Sequence, residues 1–139
     1  MGSFTLNNII EIFLPPFVSN VLTKGEYLKI KAPLLSRKNI IKGSVFITPF
    51  EGDEFWVGAT FNPYDKTILP TEKGKKWLIS KLETLIDVPY KVVEHAAQIR
   101  PTVIDRRPLL GRHPTLKNLY IFNGLGTRGV MMAPLLSKW

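Results

Sequence analysis

A glycine-rich turn near the end of the chain has the residue types and spacing most suited to chemistry. Residues 124–129 read GLGTRG, which matches the pattern G-x-G-x-x-G, and residues 118–123 before them have the pattern of a buried strand. Free backbone amides at a strand-to-helix turn can point at an anion or at a ligand oxygen. Because proline suits the first helical position, the helix that follows is predicted to begin at Ala133 or Pro134.

The spacing of this turn leaves two interpretations open. A dinucleotide-binding fingerprint needs a complete βαβ unit and an acidic residue about 20 positions further on, whereas this sequence ends at Trp139. The turn is therefore either a plain glycine-rich loop or the last strand, loop and helix of a nucleotide-binding domain whose first half is missing. On spacing alone the two interpretations are equal.

Arg100 is the second candidate, because it ends a predicted strand directly before Pro101. Its guanidinium could bind a carboxylate through two parallel hydrogen bonds, although an ordinary surface ion pair is the commoner role of such an arginine. The basic segment 106–114 could bind phosphate or form a solvated turn. His95 and His113 lack the spacing of a metal-binding pair, so no metal site is predicted.

Composition limits the classes of protein that this chain can represent. Its 139 residues suffice for one domain, and 45% apolar with 22% charged residues indicates a folded protein. The sequence contains no apolar run of 18 residues, so no membrane-spanning helix is predicted. The absence of cysteine excludes disulfides and is compatible with the cytoplasm. The net charge of +8 is spread along the chain without a nucleic-acid-binding motif, so nucleic acid is not the expected partner.

The elements that must position these residues are predicted as an α+β arrangement. Residues 1–3 are interpreted as an expression scar and residues 6–21 as an apolar lead in which two prolines prevent one continuous helix. Strands are predicted at residues 26–32, 43–49, 55–61, 90–99 and 118–123. Lys24 and Gly25 are predicted to form a turn, and residues 100–114 a long loop.

A hairpin and a capped helix are the two most specific predictions within this arrangement. Residues 45–61 are predicted to form an antiparallel hairpin, in which Gly58 indicates a close approach to the backbone. One helix is predicted with Thr71 as its N-cap. Its apolar face is predicted to contain Trp77, Leu78, Leu82, Leu85 and Ile86.

Taken together, these stretches resemble the C-terminal part of the FAD-dependent D-amino acid oxidase superfamily, which includes glycine oxidase and sarcosine oxidase. The matching stretches, in family order, are residues 24–27 (KGEY), 55–63 (FWVGATFNP), 70–72 (PTE), 99–102 (IRPT), 107–114 (RPLLGRHP) and 122–134 (FNGLGTRGVMMAP). The resemblance covers about residues 20–139. The ordered set is specific for the superfamily and not for one substrate.

The resemblance implies a domain organisation. Residues 1–23 are the scar and lead, residues 24–114 the substrate-binding (cap) domain, and residues 115–139 the terminal βα piece of a missing FAD-binding domain. The implied fold is α+β, an antiparallel or mixed sheet with one main helix, plus the last strand and the start of the last helix of the FAD-binding domain. Arg100 matches the arginine that binds the substrate carboxylate in glycine oxidase-like members. Tyr27 and Tyr64 are candidates for the tyrosine that assists it.

The resemblance also implies a cofactor, FAD, in the full-length parent. The implied cofactor-binding residues are Gly124, Gly126, Thr127, Arg128, Gly129, Val130 and Met131. Amides of the last three would support negative charge at the N1–C2=O locus of the flavin. Arg128 lies one position from another family arginine. The implied reaction is oxidation of a small amine or amino acid with hydride transfer to flavin, and it needs no protein base if the amine arrives neutral.

This sequence departs from the superfamily by lacking the N-terminal dinucleotide fingerprint. The chain alone is therefore expected to hold no FAD tightly and to be inactive, with the FAD-binding half as its missing partner. Self-association is predicted through the strand 119–122 or the segment 9–17. Two alternatives stay open: the same fold in a tRNA-modifying flavoenzyme, or a stand-alone module that binds an anion or a partner.

Overall fold

The computed structural model describes residues 20–103, 107–113 and 115–138. The predicted scar, the segment 9–17 and the lead up to residue 19 lie outside the described residues, as do Arg106, Pro114 and Trp139. The strands are β1 (Asn20–Lys31), β2 (Ile41–Lys42), β3 (Phe46–Pro49), β4 (Glu54–Gly58), β5 (Lys91–Val103), β6 (Leu109–Arg112) and β7 (Tyr120–Asn123). The helices are α1 (Glu72–Glu83), a 3₁₀ turn (Gly126–Arg128) and α2 (Gly129–Leu136).

The main sheet has five strands in the order β2-β3-β4-β1-β5. β3 and β4 pair antiparallel, with Ile47 opposite Val57, which confirms the predicted hairpin. β4 also pairs antiparallel with β1, with Leu28 opposite Val57. Because side chains alternate along a strand, this register places the apolar side chains of three neighbouring strands on one face.

β1 begins earlier than predicted, at Asn20 instead of residue 26. The predicted turn at Lys24 and Gly25 is wrong, since both residues lie within the strand. The backbone of Lys24 exchanges two 2.9 Å hydrogen bonds with Asn62, which extends the pairing past the predicted turn. Glycine and lysine are common in turns, but here tertiary pairing overrides that local preference.

Helix α1 covers one face of the sheet. Its N-cap is Thr71, as predicted, whose side chain accepts a hydrogen bond from the Gly74 amide. Gly74, Leu78 and Leu82 are its buried residues. Trp77, predicted to lie on the apolar face, is instead 39% exposed, with Lys81 Nζ 5.9 Å from its ring centroid.

The core lies between α1 and this face of the sheet. Its fully buried members are Leu28, Ile30, Ala32, Val45, Ile47, Phe55, Val57, Leu78 and Leu82. Burial of one such large aliphatic or aromatic side chain stabilises the fold by about 1.5–3 kcal/mol. The opposite face of the sheet has no comparable set of buried side chains, so it is the face on which functional residues can be exposed.

The C-terminal part of the described chain differs from prediction in two places. The predicted loop at 100–114 contains a strand, β6, which pairs antiparallel with β7. β6 was missed because its four residues include a glycine and an arginine and follow a proline, features typical of loops. Helix α2 begins at Gly129, not at Ala133 or Pro134, and Pro134 lies inside it. A proline there removes only one helical hydrogen bond.

Contacts divide the chain into two units. One unit is Thr23–Arg100, and the described residues from Pro101 onward belong to the other. The predicted boundary at residue 114 stays a prediction. In the described part of the chain, neither helix has the length and apolar content needed to cross a lipid bilayer.

Candidate functional site

The open face of the five-stranded sheet carries a row of three aligned residues. Tyr27 on β1 lies opposite Gly58 on β4, and Gly58 lies opposite Phe46 on β3. A Cβ atom on Gly58 would lie 3.1 Å from the Tyr27 Cβ atom. The close approach predicted at Gly58 is therefore made by Tyr27, and the missing side chain leaves a gap between two aromatic residues.

That gap is the floor of a shallow cavity of about 410 Å³. The lining residues are Tyr27, Phe46, Thr48, Trp56, Val57, Gly58 and Gln98. Three of the seven lining residues are aromatic, and Thr48 and Gln98 supply neutral polar groups. The lining contains no aspartate, glutamate or histidine, so no strong base faces a ligand bound there.

Sequence reasoning missed most of this lining, although one signal was available. Gly58 was singled out, and the period of two along a strand places Trp56 on the same face. The neighbouring strands were predicted as well, but not the register that brings Phe46 and Thr48 beside it. Register depends on cross-strand packing and was not readable from the hairpin sequence.

Trp56 is held at the edge of the cavity by other aromatic rings and a lysine. Its ring lies 4.9 Å from that of Tyr27 and 5.1 Å from that of Phe50, both nearly edge-to-face. Lys29 Nζ lies 5.2 Å from the Trp56 ring centroid. The same ammonium group is paired with Glu54 at 3.7 Å and Glu94 at 3.3 Å. Its charge is balanced locally, which makes it poorly suited to binding an anionic ligand.

Arg100 lies on β5, two residues beyond the cavity residue Gln98, and is exposed. Its guanidinium lies directly over Gly25 of β1, where a Cβ atom would overlap Nη2 and Cζ. Since residues two apart share a face of a strand, Gly25 shares a face with Tyr27, and Arg100 with Gln98. The guanidinium therefore lies on the cavity side of the sheet.

The two tyrosines proposed to assist Arg100 are in different environments. Tyr27 is partly buried and lines the cavity. Tyr64 is 91% exposed and is not among the lining residues. Of the two, Tyr27 fits the assisting role by its position.

A buried charged cluster lies on the opposite face of β1. Lys24, fully buried, donates from Nζ to Asp65 at 2.6 Å and to the Leu69 carbonyl oxygen. Glu26 accepts from the Thr71 amide at 2.8 Å, and its Oε2 lies 2.9 Å from His95 Nε2. The strand pattern gave no sign of this cluster, because alternating polar residues usually face solvent.

Asp65 has an abnormally acidic carboxyl group. The hydrogen bond from Lys24, together with those from the Thr67 amide and hydroxyl, lowers the pKa of Asp65 from 3.8 to about 2. A carboxyl group whose pKa is lower in the folded protein stabilises the fold above its ordinary pKa, and that stabilisation is lost as pH falls through the folded value.

We therefore expect the stability difference between the wild type and Asp65→Asn to shrink as pH falls from 3.8 towards about 2. The expected measurement is the urea midpoint of both proteins across this range. The stability of Thr67→Val is expected to depend on pH less than that of the wild type and more than that of Asp65→Asn. The reason is that this variant lacks the hydroxyl donor to Asp65 and keeps the amide donor. A difference that does not change with pH would contradict the assignment.

The glycine-rich turn lies in the other unit and is described by itself. Gly124 and Gly126 have φ angles of 75° and 57°, which favour glycine. A Cβ atom on Gly124 would overlap the Arg107 carbonyl oxygen, whereas one on Gly126 would meet nothing within 4 Å. The turn thus has one packed side and one open side.

One amide of this turn is used differently from what the sequence suggested. The Gly129 amide, assigned to a ligand in the sequence analysis, donates to the Gly126 carbonyl oxygen. The 3₁₀ turn runs directly into α2, so the helical segment starts at Gly126. The side chains of Val130 and Met131 are 92% and 78% exposed.

Both histidines have hydrogen-bond partners within the chain. Across residues 20–103, 107–113 and 115–138, no group of three or more histidine, aspartate or glutamate side chains is placed to hold a metal ion. His95 is engaged with Glu26, and His113 Nδ1 accepts from the Thr115 and Leu116 amides.

Relatives among curated proteins include glycine oxidases. The glycine oxidase of Geobacillus kaustophilus is 30% identical over 118 residues, which are 81% of this chain and 31% of that protein. The tRNA 5-methylaminomethyl-2-thiouridine biosynthesis bifunctional protein MnmC of Idiomarina loihiensis is 28% identical over 111 residues, 76% of this chain and 18% of that protein. The chain thus spans less than a third of the length of these relatives.

Solved structures and a family comparison agree with these relatives. The crystal structure of Geobacillus kaustophilus glycine oxidase matches with a TM-score of 0.68 and 28% identity, over 86% of this chain and 34% of that one. The glycine oxidase of Bacillus cereus matches in fold with a TM-score of 0.70 and 22% identity, over 85% of this chain and 33% of that one. The family model described as FAD dependent oxidoreductase matches residues 10–139. This chain therefore belongs to the FAD-dependent oxidoreductase family.

Proposed function

We propose that this chain is the substrate-binding part of an oxidoreductase that oxidises a small amino acid or amine by hydride transfer to flavin. The observation that carries the proposal is the placement of the Arg100 guanidinium on the cavity side of the sheet, two residues from Gln98 in the cavity lining. A guanidinium beside an aromatic cavity suits a substrate with a carboxylate at one end and a less polar part at the other.

Arg100 is assigned the substrate carboxylate, and Tyr27 and Gln98 the neighbouring polar contacts. The cavity lining offers no carboxylate or imidazole. The reaction then starts from a neutral substrate amine, because the lining holds no strong base that could remove a proton from an ammonium group. The three aromatic side chains of the lining offer apolar surface to the less polar part of the substrate.

The glycine-rich turn fits an edge of the flavin. Gly126 is open on the side where a Cβ atom would lie, so a planar group can approach its backbone closely. The residues proposed to hold the flavin are Gly124, Gly126, Thr127, Arg128, Gly129, Val130 and Met131. The Gly129 amide donates to the Gly126 carbonyl oxygen, so the amides of Val130 and Met131 are the proposed donors. When bound, FAD supplies the hydride acceptor.

The domain proposal follows from these assignments. Residues 24–114 are proposed as the substrate-binding domain, and the segment from residue 115 as the last strand and helix of a FAD-binding domain. The partner is then an N-terminal FAD-binding half, without which the chain is inactive. Among the described residues β7 pairs only with β6. Its other edge is the surface proposed for that partner or, in its absence, for self-association.

A second candidate substrate is a modified base in tRNA. The similarity to the bifunctional tRNA-modifying protein and the net charge of +8 favour it. An aromatic cavity also suits a stacked base. The cavity and Arg100 serve both candidates, so the two differ in substrate and not in site.

The test is a substrate scan with the FAD-loaded full-length protein under anaerobic conditions. Glycine, sarcosine, iminodiacetate and bulk tRNA are added separately, and loss of the oxidised-flavin absorbance is followed. Reduction by a small amino acid supports the proposal, reduction by tRNA alone selects the second candidate, and reduction by none of them contradicts both. The isolated chain is expected to be colourless after incubation with FAD and gel filtration.

A further inference from the structure

Gly25 occupies an unusual position between two buried charged residues. Lys24 is fully buried and Glu26 is 5% exposed, and both side chains lie on the face covered by α1. Because side chains alternate along β1, Gly25 faces the opposite, open side. The strand therefore presents a bare backbone at the one point where the Arg100 guanidinium lies over it.

The backbone on both sides of Gly25 is fixed by hydrogen bonds. The Lys24 amide and carbonyl pair with Asn62 at 2.9 Å, and the Glu26 amide donates to Thr60 Oγ1 at 2.8 Å. The Lys24 and Glu26 side chains are bound to Asp65 and Thr71, respectively. β1 cannot move away from the guanidinium without breaking these contacts, so the position of Arg100 depends on the absence of a side chain at Gly25.

Substitution at Gly25 acts on Arg100 and not on the backbone. Gly25 is not among the residues with positive φ, so alanine can adopt its conformation. The added Cβ atom would overlap Nη2 and Cζ of Arg100, which are the far end of a flexible side chain. The guanidinium would swing away, at small cost to the fold.

We propose that Gly25 is a positioning residue that lets the Arg100 guanidinium lie directly over β1, on the cavity side, for the carboxylate of the substrate. This inference rests on the proposed function, in which Arg100 binds that carboxylate. A β-carbon at position 25 would then select against carboxylate-bearing substrates without unfolding the protein.

The experiment compares Gly25→Ala, Arg100→Met and the wild type as FAD-loaded full-length proteins, with acetate as the carboxylate probe. Gly25→Ala is expected to raise the acetate Kd about tenfold, the loss of one charge-assisted hydrogen bond. Its urea midpoint is expected to equal that of the wild type. The Arg100 Nε–Hε NMR signal of the chain is expected to shift. Gly111→Ala, a strand glycine with open space around it, is the matched control and is expected to change none of these.

The outcomes separate this inference from the proposed function. If Arg100→Met weakens acetate binding and Gly25→Ala does not, Gly25 has no positioning role and the proposed function stands. If Arg100→Met leaves acetate binding unchanged, the proposed function fails and the inference fails with it. If both variants weaken binding but Gly25→Ala also lowers the urea midpoint substantially, the role of Gly25 is structural and the inference is overturned.

Discussion

Replacing Glu26 with alanine is expected to lower the free energy of unfolding by about 3–5 kcal/mol, the cost of removing one partner from a buried ion pair. Glu26 is 5% exposed and accepts three hydrogen bonds, from the Thr71 amide, from the Thr71 hydroxyl and from His95. Alanine leaves these groups without their acceptor at a position where the Glu26 side chain is only 7% exposed. Lys24 Nζ, 3.9 Å from Glu26 Oε1, also loses a neighbouring negative charge.

A second part of the effect comes from helix α1. The Glu26 carboxylate binds the N-cap residue Thr71 and lies against Gly74, where a Cβ atom would overlap it. A negative charge at a helix N-terminus stabilises the helix. Because Leu78 and Leu82 of this helix complete the core, weakening its first turn weakens the packing of the sheet.

Urea denaturation of Glu26→Ala, Glu26→Gln and Glu94→Ala measures this effect. Glu26→Gln keeps the shape and part of the acceptor capacity and is expected to fall between the alanine variant and the wild type. Glu94 pairs with Lys29 at 3.3 Å but is 43% exposed, so its replacement is expected to cost less than about 1 kcal/mol. If Glu26→Ala costs no more than Glu94→Ala, the buried cluster does not stabilise the fold.

The elements that could be predicted are those whose residues encode them locally. Thr71 and the apolar residues spaced along α1 carry the signal of a capped helix. The hairpin of β3 and β4 alternates apolar and polar residues around a polar turn. In both cases the local preference and the tertiary contacts agree.

The elements that could not be predicted depend on partners distant in sequence. Lys24 and Gly25 form part of a strand in which Lys24 pairs with Asn62, a residue on another segment. β6 is a strand because β7 provides its hydrogen bonds, although its own residues are typical of a loop. The start of α2 at Gly129 depends on the 3₁₀ turn before it and not on Pro134.

The candidate site was predictable as single residues but not as an arrangement. Arg100 and Gly58 were each identifiable from their place beside a proline and within a strand. Their relation to Gly25, Tyr27 and Trp56 follows from register and strand order, which a sequence pattern does not specify. The two glycines on this face have distinct effects, since Gly25 leaves room for the Arg100 side chain and Gly58 for the cavity.

The two faces of the sheet therefore have different roles in this unit. The face under α1 holds the apolar core and the buried Lys24–Glu26 cluster, which together fix the backbone of β1. The open face carries the cavity and the Arg100 guanidinium. A rigid strand with its charges satisfied on one side can support a precisely placed cation on the other.

Arg100→Met is expected to weaken binding of a substrate carboxylate by a factor of about 10 to 150, which corresponds to about 1.5–3 kcal/mol for a hydrogen bond to a charged group. Methionine retains the unbranched apolar stem of arginine and removes the donors and the charge. The residues that line the cavity include no cation, so none of them can replace the guanidinium. Lys29 is already paired with Glu54 and Glu94.

The measurement is the KM for glycine and the Kd for acetate in the FAD-loaded full-length protein. Arg100→Lys retains the charge without the two-pronged geometry and is expected to give an intermediate loss. Lys91→Met removes an exposed cation at the start of the same strand and is the control for net charge. If Lys91→Met raises the acetate Kd as much as Arg100→Met does, the effect is general electrostatics. A direct contact depends on the position of the cation as well as on its charge. An equal loss of acetate affinity in the two variants would therefore contradict the assignment of Arg100 to the carboxylate.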